Sequence, residues 1–127
     1  MSRLLVVDDE ANIRVLYAEE LKDEGYEVVT AASSAEAAEK LQNGAFDLAV
    51  LDIKLKNESG IDLLQKLVKE RHDMPVILCS AFSCYKDDFS AWLADGYVVK
   101  SGDLTELKQE ITRVLARKAQ KAKGERV

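Results

Sequence analysis

Two adjacent carboxylates, Asp8 and Asp9, follow an apolar run at residues 4–7, and a third, Asp52, follows a second run at 48–51. A hydroxyl, Ser80, closes a third run at 76–79, and an ammonium, Lys100, closes a fourth at 97–99. Carboxylates brought together repel one another unless a cation joins them. A hard divalent ion with oxygen ligands suits such a set, Mg²⁺ foremost. With Mg²⁺, a lysine and a serine hydroxyl around one carboxylate, the chemistry that fits is attack by that carboxylate on a phosphoryl group. The cations and the hydroxyl would then stabilise the equatorial oxygens during in-line transfer. Asp52 is the candidate nucleophile because it is central among these groups, following the middle strand.

Taken singly, each residue has a plainer reading. An aspartate often caps a helix, a serine often closes a local turn, and a lysine at a loop is usually a solvated cation. Capping accounts for one aspartate, not for an adjacent pair plus Asp52. The joint placement at the ends of apolar runs favours chemistry.

The elements that must position these groups are legible as a pattern. Short β-rich runs at 3–7, 26–31, 48–51, 76–79 and 97–99 alternate with segments of helical period, which predicts an α/β fold with a parallel sheet. The runs are so apolar that helices must cover both faces. Helix one should bury Ile13, Leu16, Tyr17 and Leu21, and helix three Ile61, Leu64, Leu67 and Val68. Helix five should bury Leu104, Leu107, Ile111, Val114 and Leu115. Ser33 with Glu36, and Ser59 with Asp62, have capping-box spacing before helices two and three, and Asp103 and Glu106 place acids at the start of helix five. Helix four is expected over residues 83–94, with Phe82, Tyr85, Phe89 and Trp92 at helical spacing. Packing accounts for most of these aromatics, with Trp92 open as a partner contact.

Composition bounds the answer. The 127 residues are 47% hydrophobic and 32% charged, the balance of one folded domain. No apolar run approaches the ~20 residues of a membrane span, and nothing at the start reads as a signal peptide, so a cytoplasmic protein is expected. Cys79, Cys84 and the single His72 cannot assemble a familiar zinc site. The net charge of −5 hides an asymmetry: residues 113–127 carry six Lys or Arg against one Glu, a net +5, which leaves −10 on the rest. An acidic body disfavours direct nucleic-acid binding, and cations after a helix C-terminus suit its dipole and solubility.

At this point the chain closely resembles the receiver domains of two-component response regulators. The resemblance is carried by Leu5-Val6-Val7-Asp8-Asp9-Glu10, Leu51-Asp52-Ile53 and Tyr97-Val98-Val99-Lys100, and it spans residues 3–116. It implies a doubly wound, flavodoxin-like five-stranded parallel sheet of order 2-1-3-4-5 with five helices. In that order strand two is an edge strand, and the ends of the other four, which carry the polar residues, are contiguous. It further implies that Asp9 binds Mg²⁺ directly, Asp8 mainly through water, Asp52 by a carboxylate oxygen and Lys54 by its backbone carbonyl. Asp52 would be the phosphoacceptor, Ser80 and Lys100 would hold the phosphoryl group, and Tyr97 would rotate inward when Ser80 is drawn to it. The face of helix four, strand five and helix five would carry the response. The implied partners are a sensor histidine kinase or histidine phosphotransfer protein and an output protein, with the chain monomeric or dimerising on phosphorylation. One departure stands out: Ser101 follows Lys100 where receivers usually have proline, often cis. A cis bond there would cost roughly 2.5 to 4 kcal/mol against about 0.5 to 1 before proline.

Three rivals share parts of this pattern. A phosphatase turning over through an aspartyl phosphate would need an acid-base residue beside Asp52 and usually a cap domain, yet Ile53 and Lys54 follow. A module acting by contact alone would not need all four motif positions. A flavin site would meet repulsion between its phosphate and Asp8-Asp9. The expectation is a signalling phosphoacceptor that promotes only its own phosphorylation and dephosphorylation, not an enzyme, with a receiver unit at 1–118 and a basic tail or linker start at 119–127. No output domain is expected within these residues, so the protein is expected either to act alone or to be a fragment.

Overall fold

A computed structural model of the chain describes residues 2–55, 58–70, 74–80, 94–99 and 104–124. In order these form β1 (Arg3–Val7), α1 (Ala11–Asp23), β2 (Glu27–Ala31), α2 (Ser34–Gln42), β3 (Leu48–Asp52), β4 (Lys54–Leu55), β5 (Glu58–Ser59), α3 (Gly60–Glu70), β6 (Val76–Ser80), β7 (Gly96–Val99) and α4 (Thr105–Gly124). The main sheet is parallel with order β2-β1-β3-β6-β7, the 2-1-3-4-5 arrangement of the five main strands. The helix expected over 83–94 and its aromatics lie, Ala94 apart, outside the described residues, and the helix anticipated as the fifth is α4.

Strand alternation explains how one sheet feeds two cores. Leu4 and Val6, Leu48 and Val50, Ile77 and Cys79, and Val98 join Tyr17 and Leu21 of α1 and Leu107, Ile111 and Val114 of α4. The intervening residues, Leu5 and Val7, Ala49 and Leu51, Val76 and Leu78, join Ala37 and Leu41 of α2 and Leu63, Leu64 and Leu67 of α3. Successive side chains point to opposite faces, so strands covered on both sides must be apolar throughout. Ile13 and Leu16 pack half-buried at the edge of the α1 and α4 core. In α3, Leu63 belongs to the buried stripe, a residue the expected spacing omitted.

Local chemistry sets the element ends. α1 stops in a Schellman turn: Gly25 adopts φ 94°, its N–H donates to the Lys22 carbonyl at 2.9 Å, and the Tyr26 N–H donates to Leu21 at 3.2 Å. At α2 the Ser33 hydroxyl accepts the Glu36 N–H at 3.2 Å, as its spacing predicts. Glu36 reaches back to the N–H of Ala32 at 3.1 Å, one residue before the partner of a standard capping box. Between α1 and α4, Lys108 bridges Glu20 at 3.1 Å and Glu24 at 3.3 Å.

The short antiparallel hairpin of β4 and β5 was not anticipated. It pairs Lys54 with Ser59 and Leu55 with Glu58 directly after β3. Two-residue strands carry too little pattern to be read against a loop. Two main strands also run one residue further than their apolar runs, so Asp52 and Ser80 are the last residues of β3 and β6.

Candidate functional site

β1 and β3 are neighbours in the sheet, with Val7 opposite Leu51, so the residues that follow each pair emerge side by side at one edge. Those residues are Asp8 with Asp9, and Asp52. Each offers a carboxylate oxygen, and the three oxygens lie within 4.8 Å of one another. Asp8 and Asp52 are nearly buried, at 2% and 5% exposure, while Asp9 is half-exposed.

The backbone around this cluster is tied down. The Asp8 N–H donates to the Ala31 carbonyl at 3.1 Å, extending the β1–β2 pairing by one rung. Its Oδ1 accepts the N–H of Glu10 at 2.9 Å, a local turn of the kind aspartate favours. Its carbonyl oxygen accepts from Arg14 Nη1 of α1 at 2.7 Å. Helix capping does not explain the aspartate pair, because the N-cap of α1 is Glu10, with no side-chain hydrogen bond. On the other side, Asp52 stands opposite Cys79, and the Ile53 N–H donates to the Cys79 carbonyl at 3.0 Å.

Three buried or half-buried carboxylates with converging oxygens form a donor set for a hard divalent cation. All ligand atoms are oxygen, and a small ion with retained waters such as Mg²⁺ fits. Of the other expected residues, Lys54 opens β4 two positions after Asp52, Ser80 ends β6 beside β3, and Tyr97 lies in β7, half-buried against the α2 and α3 core. Lys100 and Ser101 lie outside the described residues. Arg14 is the site residue that sequence reasoning missed. A basic residue early in a helix has many uses, and no spacing rule ties it to a carbonyl six positions back.

The family profile described as the response regulator receiver domain matches residues 4–112, and the chain belongs to that family. Among curated proteins it is similar to the response regulator ArlR of Staphylococcus aureus, at 31% identity over 123 residues. That match covers 95% of this chain and 56% of the relative, so the chain spans little more than half the length of such regulators. Among solved structures it is similar to the response regulator TrrA of Thermotoga maritima in complex with Mg²⁺-BeF, at 46% identity and TM-score 0.86, covering 90% of this chain and 99% of that one. TrrA is also seen in complex with the histidine kinase ThkA, where the match is 46% identical with TM-score 0.85 over 91% and 99% of the two chains. A receiver domain protein from Methanospirillum hungatei matches at 32% identity and TM-score 0.89, over 95% and 98%.

Proposed function

We propose that this chain is a phosphoacceptor switch in two-component signalling, taking a phosphoryl group onto Asp52 from a sensor histidine kinase or histidine phosphotransfer protein. The observation that carries the reading is the convergence of Asp8, Asp9 and Asp52 within 4.8 Å at the carboxyl edge of the sheet. The crystallised complexes of TrrA with Mg²⁺-BeF and with its kinase support both the cofactor and the kind of partner.

Asp9 and Asp52 would hold Mg²⁺ directly, Asp8 mainly through water, and Lys54 through its backbone carbonyl. Bound there, Mg²⁺ supplies positive charge against the oxygens of the transferring group. An Asp52 carboxylate oxygen forms the new O–P bond as the donor's bond to phosphorus breaks. The electron pair leaves with the donor atom, which takes up a proton. The Lys100 ammonium pairs with a phosphoryl oxygen, and the Ser80 hydroxyl donates to another. Movement of Ser80 toward that oxygen would let Tyr97 turn inward, changing the face that the helix expected over 83–94, β7 and α4 offer to an output protein.

The reaction is stoichiometric on the chain's own carboxylate, so the protein acts as a signalling phosphoacceptor and not as an enzyme on external esters. The receiver unit spans 1–118, and residues 119–127 form a basic tail or the start of a linker; α4 runs on to Gly124. The acidic body argues against direct nucleic-acid binding, and the monomer or a phosphorylation-dependent dimer is the working form. Among the described residues no helix is long and apolar enough to cross a membrane. The chain would act in the cytoplasm.

Incubation with a small phosphodonor and Mg²⁺, read by intact-mass spectrometry, tests the assignment. One phosphoryl group should add to the wild type and none to Asp52→Asn. Full labelling of that variant at another residue would refute Asp52 as the acceptor.

A further inference from the structure

We propose that Arg14 is a positioning residue of the acidic site, holding the peptide between Asp8 and Asp9 so that both carboxylates stay within reach of Asp52. The inference rests on the reading of that cluster as a divalent-cation site. Arg14 lies in the first turn of α1, where its N–H donates to the Glu10 carbonyl at 3.1 Å. Its side chain turns back along the helix toward the sheet and donates from Nη1 to the Asp8 carbonyl oxygen at 2.7 Å, a short charge-assisted bond in a part-buried position.

That carbonyl is one end of the planar peptide leading to Asp9. Fixing its direction fixes the plane from which Asp9 departs. The N–H of Asp8 is anchored on Ala31 and its Oδ1 on the Glu10 N–H, so Arg14 completes a grip on amide, carboxylate and carbonyl of the same residue. Asp9 is half-exposed on the loop, unlike Asp52, whose backbone is held in the sheet. The loop side of the cluster is therefore where an added restraint has most effect.

Two consequences of removing the guanidinium have opposite signs, which makes the role testable. Loss of a positive charge strengthens the attraction of the site for a dication, an effect that salt screens over ~8 Å at physiological ionic strength. Loss of the hydrogen bond releases the Asp8–Asp9 peptide and weakens cation binding. Partners that orient metal ligands are typically worth about 10–100-fold in affinity, so the second effect should win. A lysine keeps the charge and one donor but lacks the planar fork, and should restore part of the grip.

The experiment is a Mg²⁺ titration at fixed ionic strength of wild type, Arg14→Met, Arg14→Lys and Asp9→Ala, followed calorimetrically, with thermal unfolding in EDTA run alongside. Arg14→Met should bind Mg²⁺ about tenfold more weakly than wild type, with Arg14→Lys between them and the melting temperatures in EDTA close together. Equal or tighter binding by Arg14→Met overturns the positioning role. So does a large fall of its melting temperature in EDTA with Arg14→Lys binding as wild type does, which marks a bond that serves only the fold. If wild type itself binds no Mg²⁺, the cation reading fails and the inference falls with it; if wild type binds and Asp9→Ala does not, the reading stands and the Arg14 variants alone decide.

Discussion

Asp52 stands opposite Cys79 at the last rung of the β3–β6 ladder, and the next residue's N–H, that of Ile53, closes on the Cys79 carbonyl at 3.0 Å. The backbone bearing the Asp52 carboxylate is thus held by sheet pairing independently of any ligand. Asp52→Asn should therefore fold normally, with a melting temperature in EDTA equal to or above that of wild type, because one charge of a repelling set has been removed. Circular dichroism melts check this, and a fall of several degrees would mean that the carboxylate itself supports the fold.

Mg²⁺ should raise the melting temperature of wild type in proportion to RT ln(1 + [L]/Kd), since it binds the folded cluster and not the unfolded chain. Asp9→Ala should abolish the shift while gaining stability in metal-free buffer. An unchanged Mg²⁺ response in that variant would remove Asp9 from the site.

Tyr97 lies opposite Leu78, two residues before Ser80 on the neighbouring strand, so a change at the end of β6 has a short route to it. A charge-assisted bond from Ser80 to the phosphoryl group would contribute on the order of 1.5 to 3 kcal/mol of differential stabilisation, a population shift of roughly tenfold to a hundredfold. Trp92 fluorescence should change when beryllofluoride and Mg²⁺ are added. Ser80→Ala should keep phosphate uptake yet blunt that change; a full response at equal phosphorylation would show that the coupling bypasses Ser80.

Ile111 is fully buried between α4 and the sheet, whereas Val15 on α1 is 57% exposed. Ile111→Ala should cost about 2–5 kcal/mol and Val15→Ala within about 0.5 kcal/mol, by urea unfolding. Comparable losses at the two positions would contradict the orientation of α1 or α4.

At Gly25 an added Cβ meets nothing within 4 Å, so only the backbone at φ 94° opposes a side chain. Gly25→Ala should destabilise by about 1–2 kcal/mol, since L-residues resist this conformation. A neutral result would mean that the turn relaxes.

By itself the sequence determined the alternation of strands and helices, because apolar period is a local property that a few adjacent residues carry. It also marked Asp8, Asp9 and Asp52, since charged groups at the ends of apolar runs must lie at a sheet edge. Resemblance, not periodicity, supplied the strand order. Tertiary structure bore out the adjacency of β1 and β3 that this order implies, and it alone decided that these carboxylates lie within 4.8 Å. It decided also which residues of each strand face α1 and α4 and which face α2 and α3. The burial of Leu63, the β4–β5 hairpin and the Arg14 bond to Asp8 were not legible, because each depends on a surface brought up from elsewhere in the chain or on a pairing too short to leave a period. Whether a basic side chain meets solvent or a carbonyl is settled by the packing angle of its helix on the sheet, which residue spacing does not encode.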